Sequence, residues 1–144
     1  MFRGTPDPLT AGNNWYHEYK LQYTRGGEYS VWRRIAGGTA TALVDWTYTP
    51  AINQGDAWNT LRVVADGSRL TVFINDVRLW SGLDSTFSYG RIGVGMYQDA
   101  SAGNELQVDW ARACVLPPGA PDPIPPPPAD EGVTADGDER GVFP

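Results

Sequence analysis

Apolar side chains recur at every second position of this chain, in short runs that stop at glycine, asparagine or aspartate. No long stretch holds a helical period. Such alternation makes strands with one buried face, so the fold class expected is all-β. The run 14–24 sets Trp15, His17, Tyr19, Leu21 and Tyr23 against Tyr16, Glu18, Lys20 and Gln22, and Arg25-Gly26-Gly27 supplies the reversal after it. The run 28–36 carries Tyr29, Val31 and Ile35 on one side and Ser30, Trp32 and Arg34 on the other, closed by Gly37-Gly38. A third run, 40–48, alternates Val44, Trp46 and Tyr48, and a loop over 50–57 follows. Leu61, Val63 and Ala65 then lead to a turn at Asp66-Gly67, from which Leu70, Val72 and Ile74 return with Phe73 facing away. Asn75-Asp76 turns the chain once more into Val77, Leu79 and Trp80. Runs over 90–98 (Ile92, Val94, Met96) and 105–112 (Leu106, Val108, Trp110) complete the set. Strands this short and this evenly spaced predict an antiparallel two-sheet sandwich.

The pattern ends where the prolines begin. From 116 to 144 the chain is proline-rich and acidic with few apolar residues, a composition that cannot offset its own ordering entropy. It reads as a disordered tail or linker, with Pro125 to Pro128 favouring an extended polyproline rod. Residues 1–115 are left as one folded domain, which is small for a sandwich. The formal charge of −6 belongs mostly to the tail, where Asp122, Asp130, Glu131, Asp136, Asp138 and Glu139 face Arg140 alone. A domain this close to neutral is a poor match for nucleic acid or an anionic membrane surface. Cys114 is the single cysteine, so no disulfide joins two parts of the chain, and no run is apolar enough for membrane insertion.

The stretch from Trp58 to Trp80 resembles the hairpin of concanavalin-like and laminin-G-like jelly-roll domains. Asn59, Leu61, Val63, Gly67, Leu70, Val72, Phe73, Ile74 and Asn75 carry the likeness, and Asp76 stands where glycine is usual. The run from Asp84 to Gly95 and the closing Val108, Asp109, Trp110 and Ala111 resemble later strands of that group. Tyr23, followed by Gly26, Gly27, Glu28, Tyr29, Ser30, Val31 and Trp32, is similar to bacterial domains related to 3-keto-disaccharide hydrolases, with one residue less of spacing. The resemblance implies a jelly-roll sandwich. It also implies further strands ahead of the segment at Phe2, so a truncated chain is expected, with a sheet edge and an apolar face that a homodimer or an upstream segment would cover.

Sugar sites on such sandwiches stack pyranose faces on aromatic rings and bond the hydroxyls with carboxylates, amides or arginine. Tyr16, Glu18, Trp32, Arg34 and Trp46 have that chemistry and share one face if their three strands are neighbours. They are the candidate ligand-binding residues, with Trp32 and Trp46 as platforms; the bland alternative is that the tryptophans fill space and Glu18 pairs with Arg34. No catalytic residue stands out. Retaining glycosidases hold two carboxyl groups about 5 Å apart, and laminarinase-like relatives carry them as Glu-x-Asp-x-x-Glu. The nearest approach here, Glu105 and Asp109, spans roughly 13 Å of strand. His17 is the sole histidine and makes neither a triad nor a metal cluster. No cofactor is expected, with calcium kept as an option: Asp7, Asp56, Asp84 and Asp99 could contribute oxygen ligands, without the Asp-x-Asp spacing of a calcium loop.

These residues lead us to expect a non-catalytic carbohydrate-binding or adhesion module of a secreted bacterial protein, placed outside the cell or at its surface, with a glycan or polysaccharide as partner. Two other readings stand beside it. One is a sugar hydrolase resembling the 3-keto-disaccharide group, with catalytic residues partly outside this chain. The other is a structural domain that binds protein.

Overall fold

The computed structural model describes residues 1–97, 103 and 105–117. Among them the chain is all-β apart from one short 3-10 turn at Ala11–Asn13. Strands β1 (Phe2–Leu9), β2 (Trp15–Tyr23), β3 (Glu28–Arg34) and β4 (Thr41–Tyr48) form a four-stranded antiparallel meander in that order. Strands β5 (Leu61–Asp66), β6 (Arg69–Ile74) and β7 (Val77–Leu83) form a second, three-stranded meander.

The two sheets share one core. Phe2, Tyr19, Leu21, Tyr29 and Val31 from the first meet Leu70, Val72 and Ile74 from the second, and Ile52 in the β4–β5 connection joins them. Alternation explains the selection, since each of these residues sits two positions from the next on its own strand. Polar ties cross the same gap: the Tyr29 hydroxyl donates to the Leu79 carbonyl at 3.2 Å, and the Tyr19 hydroxyl donates to Asp84 Oδ1 at 2.5 Å. Two bulges in β4, near Asp45-Trp46 and Leu43, let Leu43 and Val44 both lean on the core.

The turns follow from local chemistry. β5 and β6 are joined by Gly67-Ser68, with Gly67 at φ 52° in the first position, as a II′ reversal needs. β6 and β7 are joined by Asn75-Asp76 at φ 49° and 64°, the paired positive values of a I′ turn. Aspartate therefore fills the place where the resemblance leads one to expect glycine, because Asn and Asp tolerate this region better than other side chains do.

The asparagines that carried the resemblance are structural. Asn59 Oδ1 accepts from the Asn53 backbone and from Asn75 Nδ2 at 2.8 and 2.7 Å. Asn75 in turn donates to the Ala51 carbonyl and accepts from the Thr60 backbone. Together they pin the long β4–β5 connection to the β6–β7 turn.

Three segments depart from the sequence reading. β1 falls outside the expected runs, because Gly4, Pro6 and Pro8 interrupt its alternation; its register against β2 shifts twice. The run expected as a strand over 90–98 is reduced to a bridge between Gly4 and Arg91. It lies beside β1, with backbone bonds joining Gly4 to Arg91 and Met1 to Gly93. Gly93 is required there: a Cβ would come within 2.5 Å of the Trp15 ring. The run expected over 105–112 makes no ladder, and its apolar positions Leu106, Val108 and Trp110 are all exposed. Alternation makes a strand only where a neighbour offers hydrogen bonds and a face to cover. The tail expected from 116 lies outside the described residues beyond Pro117.

Candidate functional site

The outer face of the four-stranded sheet is built by the register of β2 on β3, where Glu18 opposes Arg34, Lys20 opposes Trp32 and Gln22 opposes Ser30. Side chains directly opposite lie on the same side, so these six form one patch. Glu18, only 2% exposed, is its anchor. Its Oε1 lies 3.2 Å from Lys20 Nζ and 3.3 Å from Arg34 Nε. A buried carboxylate is tolerable only when it is paired and hydrogen-bonded in this way. Lys20 also donates to Asn14 Oδ1, and Arg34 to the Gly38 carbonyl at 2.7 Å, so both cations are held in place. Two cations on one carboxylate leave the group with a net positive charge.

The neighbouring half of the patch is neutral. Ser30 Oγ accepts from Trp32 Nε1 at 2.8 Å and from Gln22 Nε2 at 3.1 Å. The Trp32 indole is therefore fixed over a buried serine and remains only half-buried. On β4, Ala42 opposes Trp32, and the bulge opposite Ser30 puts Trp46 on the same face, 43% exposed. Tyr16 sits at the far end of β2, where it packs on Gly37 in the β3–β4 turn and edge-on to His17.

The five residues picked from sequence thus share one face, but not one cluster. Glu18 and Arg34 pair, Trp32 lies next along β3, and Tyr16 and Trp46 mark opposite ends. From Ser30 to Arg34 the strand covers roughly 13 Å, so the row is extended rather than enclosed. Sequence reasoning missed Lys20, Ser30 and Gln22 as members. Their signal was present, because they alternate with the core positions, but polar residues on an outer face carry no mark that separates a knitted layer from a solvated one.

A second polar network lies behind the sheet. Asp84 accepts from the Tyr19 hydroxyl and the Thr86 backbone, and Arg33 donates to it at 2.6 Å. Burial pushes the Asp84 carboxyl up, but hydrogen bonds from Thr86 and Tyr19 and the Arg33 charge outweigh it and hold the group below its ordinary 3.8. Burial first, and the Asp84 bond next, push the Tyr19 hydroxyl above its ordinary value. The network ties the two sheets together.

The aspartates in view for calcium are otherwise engaged or dispersed. Asp56 pairs with Arg25 at 2.6 Å, Asp84 with Arg33, and Asp99 lies outside the described residues. No group of three or more potential metal ligands gathers among the described residues. Glu105 and Asp109 are both exposed, and His17 is half-buried with Nδ1 accepting the Ala36 N–H at 3.1 Å.

Compared with known proteins, the chain matches no protein-family model, and neither a curated protein nor a solved structure matches it at a significant level.

Proposed function

We propose that this domain is a non-catalytic carbohydrate-binding module, and that it takes glycan along the outer face of the four-stranded sheet. One observation carries the reading: two indoles, one held by Ser30 and one freely exposed, share a face with a carboxylate that two cations fix in place. Indole faces suit the C–H-rich side of a pyranose. An arginine whose rotamer Glu18 already restrains can bond hydroxyls with little further ordering cost. The extended row suits a chain of sugars better than a single ring. A concanavalin-like jelly roll and an extracellular setting belong to the same proposal. Supporting the former is the return of the chain after β7 to the open edge of β1.

The test is affinity electrophoresis in a panel of soluble polysaccharides. The parent chain is expected to be retarded by at least one of them, and Trp46→Ala and Trp32→Ala to run free of it, Trp46→Ala with a thermal midpoint close to the parent's and Trp32→Ala with a lower midpoint but still a cooperative melt. Retardation that survives both substitutions would remove the sheet face as the site.

A second reading, self-association, draws on a different observation. Ile92, Val94 and Met96 are 59%, 63% and 40% exposed on a segment that, among the described residues, bonds β1 and no other strand. An apolar edge of this kind is a template for a second copy of itself. Sedimentation equilibrium checks it: a dimer that Val94→Lys converts to monomer supports the edge, and a parent that is monomeric throughout rejects it.

A further inference from the structure

Beside Arg3 and Thr5 of β1 the loop after β7 leaves a small polar cavity of about 220 Å³, lined also by His17, Thr86, Phe87, Ser88 and Tyr89. A larger, open cleft of about 450 Å³ adjoins it and shares Thr5 and Tyr89 as a wall. Among the described residues β1 pairs outward at Met1 and Gly4 alone, and the cleft opens beyond them, where Pro6 and Pro8 have no backbone N–H to offer a neighbour.

The charge of the cavity is unusual. Arg3 donates from Nη1 to the Gly67 and Phe87 carbonyls and from Nη2 to the Ala65 carbonyl, at 2.6, 3.3 and 2.9 Å. Three backbone acceptors fix the guanidinium but bring no negative charge, and it makes no ion pair among the described residues. Of its five N–H groups, two are left over. His17 adds a second donor: with Nδ1 accepting from Ala36, a neutral ring carries its proton on Nε2. Thr5, Thr86 and Ser88 line the same space, with the Thr86 hydroxyl accepting from Arg33 at 3.0 Å. Asp84 is paired with Arg33, Asp7 lies in the adjoining cleft together with Arg91, and Asp66, between the Ala65 and Gly67 carbonyls that hold Arg3, makes no ion pair with it among the described residues. Tyr89, 86% exposed, stands at the mouth as an aromatic wall.

We infer that this cavity binds the carboxylate of a small hydroxylated acid, a hexuronate being the best fit. The anion meets the guanidinium fixed by three carbonyls, the hydroxyls meet Thr5, Ser88 and His17 Nε2, and the ring lies against Tyr89. The volume falls below that of drug-sized sites, which suits one sugar ring rather than a chain. The inference does not rest on the sheet face carrying Trp32 and Trp46, which is formed by other strands and other residues.

The experiment is a titration of the intact ¹⁵N-labelled chain with galacturonate, galactose and acetate, each followed by NMR. Galacturonate is expected to shift the Arg3 Nε–H signal and the amides of Thr5, Ser88 and Tyr89. Galactose and acetate are each expected to bind at least about tenfold more weakly, since each lacks one half of the contacts. His17→Asn, whose Oδ1 keeps an acceptor for Ala36 while the Nε2 donor is lost, and Tyr89→Ala are each expected to weaken galacturonate about fivefold or more. Trp46→Ala is expected to leave it unchanged. No shift with galacturonate, equal binding of galactose or acetate, or shifts that vanish in Trp46→Ala but persist in Tyr89→Ala would each overturn the assignment.

Discussion

The four-stranded sheet buries side chains on both of its faces, by opposite means. On the inner face Tyr19, Leu21, Tyr29 and Val31 are covered by Leu70, Val72 and Ile74 from the other sheet. On the outer face Glu18 and Ser30 are as deeply buried as the core, at 2% and 0%, yet the side chains seen to contact them are Lys20, Gln22, Trp32 and Arg34 from the same sheet. The inner face needs a second layer, and the outer face knits its own from long side chains. A self-covered layer is rigid without being hidden, which is the property a binding surface needs.

The largest expected effect lies on the inner face. Leu70 is fully buried between the sheets, and Leu70→Ala is expected to cost about 3 kcal/mol by chemical denaturation. A loss near zero would mean that the sheets do not pack as described. Next comes the anchor of the outer face. Glu18→Ala strands Lys20 and Arg34 at a half-buried site, and a loss of about 2 kcal/mol is expected, reduced because both cations keep some solvent. If Glu18→Ala instead proves neutral, the outer layer is not knitted through Glu18.

Acid should distinguish the sheet-tying network from either face. The Asp84 carboxyl is held below 3.8, so its contribution is present above that pH and lost as pH falls through the lower folded-state value. Acid unfolding is expected to steepen below about pH 4 in the parent. Asp84→Asn is expected to flatten that limb, and an unchanged limb would show that the Tyr19–Asp84–Arg33 network does not link folding to protonation. The smallest effect on stability belongs to Trp46→Ala at the exposed end of the outer face, about 0.5 kcal/mol or less. The same substitution is expected to have the largest effect on glycan binding.

Much of the fold was legible, because core and turn leave distinct marks. Six of the described strands follow from alternation and from turn residues such as Gly67 and Asn75. β1 was hidden by its prolines and its shifted register, features that belong to an edge and carry no period. The reverse failure at 92–96 and 106–110 has the same root: apolar alternation records which face wants cover, while a ladder also needs a neighbouring backbone. The candidate face was legible in its residue types and in their sharing of a side. Its internal bonds were not, since the opposition of Glu18 to Arg34 and of Gln22 to Ser30 depends on a register set by the turn between β2 and β3.

The most direct test of the outer face as a binding surface is thermal unfolding of the parent and of Trp46→Ala, each with and without the same set of soluble polysaccharides. A ligand that binds only the folded state raises the melting midpoint. The expected result is an upward shift for the parent with at least one polysaccharide, and none for Trp46→Ala, each measured from that chain's own ligand-free midpoint. A shift of the same size in both chains, or no shift in the parent with any polysaccharide, would contradict it.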